Sequence, residues 1–124
     1  MEQIRAIVVL ESLASGLRLE VFRLLVRQGA QGMVAGDISS TLDIPPTNLS
    51  FHLKNLTHAG LVTVEQEGRF QRYRANMALM LDLVAYLTEE CCAGDAGQCE
   101  NLRESSKVAP GILPALRPRA EAGS

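Results

Sequence analysis

One stretch of this chain constrains its fold more than any other, because between Leu42 and Ala75 the spacing of apolar residues changes from that of a helix to that of a strand. Leu49, Leu53 and Leu56 stand at i, i+4 and i+7, the spacing that fastens one face of a helix to a core. Pro46 suits the first helical position and Gly60 the stop, so the helix is predicted from Pro46 to about Ala59. Beyond it Val62 and Val64 alternate with Thr63 and Glu65, Gln66-Glu67-Gly68 supplies a turn, and Phe70 to Ala75 alternates again. A helix leading straight into a two-stranded hairpin is the expected result.

The flanking segments are helical in pattern. From Gln3 to about Leu13 the apolar residues Ile4, Ile7, Val8 and Leu10 are too dense for a solvent-facing helix, so this segment is expected to lie between other elements or subunits. After Gly16, Leu17, Val21, Leu24 and Leu25 give a second helix with one inward stripe, ending at Gln28-Gly29. Met33 to Thr41 reads as a short third helix with Val34 and Ile38 inward, weakened by roughly 1 kcal/mol at Gly36. Asn76 is placed to cap a last helix whose Leu79, Met80, Leu83, Val84 and Leu87 form a broad apolar face. The predicted order is α-α-α-α-β-β-α, a mainly α fold with one β-hairpin.

Composition agrees with one domain. The chain has 124 residues, 47% of them hydrophobic, and lacks an apolar run long enough to span a bilayer or a cleavable leader pattern. A soluble, cytoplasmic protein with no membrane partner is expected. Residues 1–92 read as the folded domain, and residues 93–124, rich in Gly, Ala and Pro, as a flexible tail that contains Cys99.

A net charge of −2 does not point to nucleic acid, yet from Ile44 to Ala75 Lys54, Arg69, Arg72 and Arg74 outnumber Glu65 and Glu67. With Leu49 at the centre of the buried face, steps of about 100° per residue put Thr47, Asn48, Phe51, Lys54 and Asn55 on the outward face of the fourth helix. These residue types suit a major groove: asparagine pairs with adenine, lysine with phosphate or guanine, and phenylalanine presses on a thymine methyl. Ser50 and His52 lie on the flanks, where each is suited to donate to a phosphate oxygen; His52 reads equally well as a partly buried residue bonded within the fold.

The run Ile44-Pro-Pro-Thr-Asn-Leu-Ser-Phe-His-Leu-Lys-Asn-Leu-Thr-His-Ala-Gly-Leu-Val62 and the run Glu67-Gly-Arg-Phe-Gln-Arg-Tyr73 together resemble the recognition helix and wing of the ArsR/SmtB family. Ser-x-His-Leu at Ser50 to Leu53, Ala-Gly-Leu-Val at Ala59 to Val62, and Gly-Arg-x-x-x-Tyr at Gly68 to Tyr73 carry the likeness. Upstream, Leu13-Ala-Ser-Gly-Leu-Arg-Leu-Glu20 resembles the family's entry to its second helix, so residues 3 to 90 are covered. Pro45 departs from the small hydroxyl residue common before the recognition helix. The resemblance implies a winged helix-turn-helix fold, a homodimer formed through the first and last helices, double-stranded operator DNA as partner, and a repressor's role. Arg69 and Arg72 are then wing contacts to DNA.

Cys91 and Cys92 are adjacent at the predicted end of the last helix, and Cys99 follows a segment whose Gly94 and Gly97 allow it to bend back. Three cysteines, two of them adjacent, fit free thiols in a reducing compartment better than a disulfide framework. Three soft thiolates match a trivalent metalloid, As(III) or Sb(III), whereas zinc normally takes a fourth ligand. The family's other inducer sites are absent: Val34-Ala-Gly-Asp37 has no cysteine pair and Met77 to Glu90 has no histidine. What remains resembles variant arsenite sensors with a Cys-Cys pair ending the last helix and a third cysteine shortly beyond.

The reading that follows is a repressor released by arsenite, with no cofactor required and no catalytic motif. A thiol redox switch is the alternative for the same cysteines, and an interaction module that binds no operator is a third class.

Overall fold

The computed structural model describes residues 1–89, 102 and 104–108. Packing divides the chain into Met1–Tyr86 and Leu87–Ser124. The predicted boundary at residue 92 and the cysteines Cys91, Cys92 and Cys99 fall outside the described residues. In the second unit Leu102, Glu104 and Ser105 are helical, and the Ser105 hydroxyl donates to the Leu102 carbonyl at 3.2 Å.

Helix α1 spans Gln3–Leu13 and buries only the narrow stripe Ala6, Val9 and Ser12. Ile4, at 73% exposure, Ile7, Val8 and Leu10 are uncovered in the single chain, whereas Leu13 packs against the core. Helix α2, Gly16–Gln28, starts at Ser15, whose hydroxyl accepts from the Arg18 amide, and buries Val21, Phe22, Leu24 and Leu25. Phe22 thus lies inward whereas Leu17, expected there, is exposed.

The order of elements corrects one expectation. Met33–Val34 is not the start of the third helix but a two-residue strand, β1, and helix α3 spans Ala35–Leu42. Strand β1 pairs antiparallel with the second strand of the hairpin, Met33 opposite Tyr73 and Val34 opposite Arg72. Two residues are too few to display a period of two, so only the available sheet edge, which takes up their backbone polar groups, distinguishes strand from helix here. Gly32, just before it, has a positive φ of 62°, and a Cβ at that position would collide with the Tyr73 carbonyl oxygen.

Helix α4 spans Pro46–Ala59 and buries Leu49, Leu53, Leu56 and Ala59, as the spacing predicts. The turn between α3 and α4 is closed by paired bonds: the Ile44 amide donates to the Ser39 carbonyl at 3.1 Å, and the Ser39 hydroxyl donates to the Ile44 carbonyl at 2.6 Å. Pro45 is extended and offers α4 no side-chain cap, but its carbonyl accepts from the Leu49 amide. Proline at the helix start, where an amide has no partner anyway, makes a cap less necessary.

Strands β2, Val62–Glu67, and β3, Phe70–Ala75, pair from Val62–Ala75 to Glu67–Phe70, giving the sheet order β1-β3-β2. Gly68 and Arg69 form the two-residue turn, with Gly68 at φ 61° as a tight hairpin requires. Helix α5, Met77–Leu87, begins at Asn76, whose Oδ1 accepts from the Leu79 amide and whose Nδ2 donates to the Gly60 carbonyl. That residue therefore ties the exit of α4 to the entry of α5.

The core is one cluster drawn from α1 to α5 and the sheet, with Val9, Val21, Leu25, Ile38, Leu49, Leu56, Leu61 and Val62 fully enclosed. Each such aliphatic side chain contributes about 1.5–3 kcal/mol of burial, so the leucine stripe holds α4 by its inner face and leaves the outer face free.

Candidate nucleic-acid interface

Thr47, Asn48, Ser50, Phe51 and Lys54 are all exposed on α4, with Phe51 70% exposed. They follow from the period of the helix: once Leu49, Leu53 and Leu56 turn inward, residues half a turn away must turn outward. His52 is half-buried on the flank. Asn55 sits on the same helical stripe as Asn48 and Phe51, but its Oδ1 accepts a hydrogen bond from the Ser12 hydroxyl of α1 at 2.6 Å.

The hairpin's three arginines divide into two kinds. Arg72 Nε contacts both carboxylate oxygens of Glu67, at 3.0 and 2.9 Å, and its Nη1 donates to the Gln31 carbonyl at 3.1 Å. Arg74 bonds Glu65 at 2.8 Å and the Ala30 carbonyl at 2.8 Å. Both guanidinium groups are thus engaged within the fold. Arg69, at the turn, is exposed, and the ion pairs found among the described residues involve neither it nor Lys54.

Sequence reasoning does not single out Phe70, which follows Arg69 and is 62% exposed. With Gln66, Arg69 and Gln71 it borders an open recess whose other wall is Ala35 and Gly36 at the start of α3. The signal available in the sequence was its position directly after the Gly68–Arg69 turn, where strand alternation no longer assigns a face. Tyr73, which ends the Gly-Arg-x-x-x-Tyr motif, is instead buried, and its hydroxyl bonds Gln71 Oε1 at 3.1 Å. Burial holds its phenol above the usual tyrosine range.

An outward row of polar and aromatic side chains on the second helix of a helix-turn-helix, followed by a hairpin with a free arginine at its tip, is an arrangement able to meet a groove and its phosphates. The described residues contain no group of three His, Cys, Asp or Glu side chains placed to hold an ion, and no helix long and apolar enough to cross a membrane.

The chain's residues 13–65 match a helix-turn-helix domain family. Over 69 residues it is 35% identical to a protein of Halobacterium salinarum assigned as an arsenical resistance operon repressor ArsR, an alignment covering 56% of this chain and 53% of that protein. The chain therefore spans about half the length of this curated relative. Among solved structures, an ArsR-like transcriptional regulator from Rhodococcus sp. RHA1 superposes with a TM-score of 0.64 at 22% identity, covering 85% of this chain and 96% of that one. The homodimeric winged helix-turn-helix DNA-binding domain of Mb0332 from Mycobacterium bovis, named as a possible ArsR-family transcriptional regulator, superposes with a TM-score of 0.55 at 30% identity. That match covers 69% of this chain and 80% of the fragment.

Proposed function

We propose that this chain, which belongs to the ArsR family of winged helix-turn-helix transcriptional regulators, works in the cytoplasm as a homodimeric repressor that reads operator DNA through the outward face of α4. The observation that carries this reading is the exposed row Thr47, Asn48, Phe51 and Lys54, backed by a fully buried leucine stripe. An aromatic ring 70% exposed on a packed helix is costly in water and suited to an apolar partner such as a thymine methyl. Ser50 and His52 flank the row as phosphate contacts, and Arg69 and Arg72 bring the hairpin to the duplex, Arg69 with its full charge available.

The uncovered apolar residues of α1, with Leu81 and Leu87 exposed on α5, support a dimer through the first and last helices. The Mycobacterium bovis relative is named as homodimeric, which supports a dimer here. A twofold dimer presents two copies of α4 to half-sites about one turn of duplex apart.

The inducer in this proposal is As(III) or Sb(III), held by the thiolates of Cys91, Cys92 and Cys99. Three soft donors at that spacing fit a trivalent thiophilic ion, and the Halobacterium relative's name points to arsenical resistance. Ligation beside the end of α5 restrains a helix of the subunit contact, and an ion bound more tightly by the low-affinity arrangement draws the population off DNA.

The test is selection of a duplex from a random-sequence pool, followed by titration of that complex with salt and with arsenite under reducing conditions. Affinity should fall steeply with salt as phosphate counterions are recaptured, and arsenite should release the protein. Absence of any selected duplex overturns the DNA reading. Full affinity in excess arsenite overturns the metalloid reading, and release by oxidant alone assigns the cysteines to redox sensing.

A further inference from the structure

Ser12 is the one polar residue buried in the core among the described residues, 4% exposed in the last turn of α1. Each of its polar groups is committed to a different helix. Its hydroxyl donates to Asn55 Oδ1 of α4 at 2.6 Å, and its carbonyl accepts from Arg18 Nε of α2 at 2.6 Å. Three helices therefore meet at a single buried residue, α4 through its side chain and α2 through its backbone carbonyl. A short bond of this kind, buried at its Ser12 end, is directional and so fixes relative position, whereas apolar attraction is not.

Asn55 occupies the far end of the stripe that carries Asn48 and Phe51. Pairing with adenine uses both ends of an asparagine amide, and here one end is already taken by Ser12. The side chain lies in a recess bordered by Val8, Glu11, Arg18 and His58, on the α1 side of the helix. Its location on the outward face is thus accompanied by a contact that points back to α1.

Resting on the dimeric DNA-binding reading above, we infer that Asn55 is a positioning residue and that the Ser12–Asn55 bond sets how α4 is carried on α1. Because α1 also supplies the uncovered apolar face that joins two subunits, the bond determines the separation and tilt of the paired reading helices. Its effect on DNA is a preference for one spacing between half-sites, not for a particular base.

The test compares Ser12→Thr with Ser12→Val, two side chains of one shape that differ in the hydroxyl, with Asn55→Ala as a variant at the solvent-facing partner. The probes are the duplex selected by the full-length wild-type chain and versions with one base pair added to or removed from its centre. Ser12→Thr should keep wild-type affinity and spacing preference. Ser12→Val and Asn55→Ala should each bind the original duplex about five- to tenfold more weakly, the range one hydrogen bond supports, and lose most of their discrimination between spacings. Base preference within each half-site should stay unchanged, and the double variant should be no weaker than either single one.

If Ser12→Val retains the spacing preference of Ser12→Thr, the inference fails while the DNA-binding reading stands. If Asn55→Ala changes base preference and Ser12→Val does not, Asn55 reads sequence directly and the inference also fails. A wild-type chain that selects no duplex overturns the underlying reading and this inference together.

Discussion

Arg72 and Glu67 meet diagonally across the hairpin, the guanidinium Nε lying 3.0 and 2.9 Å from the two carboxylate oxygens although Glu65 is the residue directly opposite Arg72. The same offset recurs two pairs along, where Arg74 stands opposite Thr63 but bonds Glu65. Two diagonal pairs of one sense brace the hairpin, and each arginine also reaches a carbonyl of the turn at Gly29–Gln31.

The two wing arginines should therefore respond differently to substitution. Arg72→Ala should lower stability by roughly 1 kcal/mol, since it removes a partly exposed ion pair and a bond to the Gln31 carbonyl. Arg69→Ala should leave stability within about 0.5 kcal/mol of wild type and reduce the slope of log affinity against log salt by about one. Thermal unfolding and salt titration of the selected duplex measure the two effects, and equal salt slopes for wild type and Arg69→Ala would remove Arg69 from the interface.

Phe51→Ala should hardly alter the melting temperature, because the ring is outside the core. It should reduce the preference for thymine at one position of each half-site and leave the other positions as they were. A uniform loss across all positions, measured by repeating the selection, would place Phe51 elsewhere than against a base.

Ile4→Asp and Ile7→Glu remove apolar area that a single chain leaves in water. Each substitution acts twice in a twofold dimer, so self-association should weaken on the order of a hundredfold with the helical content retained. Sedimentation over a range of concentrations gives the constant, and unchanged association would mean that α1 is not the contact.

Replacing Cys91, Cys92 or Cys99 by serine should abolish release by arsenite while leaving operator binding nearly intact. Loss of DNA binding without inducer would mean that these residues serve the fold.

Tyr73 makes stability depend on alkaline pH. Its phenol has a higher pKa folded than unfolded because burial disfavours the phenolate. The neutral form's stabilisation is therefore complete below the ordinary value of 10.0 and is lost as pH rises through the folded value. Wild type should destabilise more steeply than Tyr73→Phe above that pH, and parallel curves from chemical denaturation would exclude the effect.

Much of this architecture is legible residue by residue. Pro46 and Gly60 bound α4, Asn76 caps α5, and the leucines of α4 point inward at the positions their spacing assigns. Strand β1 was not legible, since Met33 and Val34 acquire their conformation from Tyr73 and Arg72 nearly forty positions away. The outward face of α4 was readable as a face, but nothing in its spacing distinguishes Asn48, open to solvent, from Asn55, bonded to Ser12. Likewise three arginines in the hairpin look alike until their partners are known.

The sequence by itself determined the periods, the breaks and hence which side of α4 faces the core, because these depend on neighbours a few residues apart along the chain. Only the tertiary structure decided which polar groups remain free. A side chain such as Asn55 or Arg72 is claimed by partners brought near through folding, Ser12 or the Gln31 carbonyl, and hydrogen bonding at 2.6 to 3.1 Å depends on that placement, which no local spacing encodes.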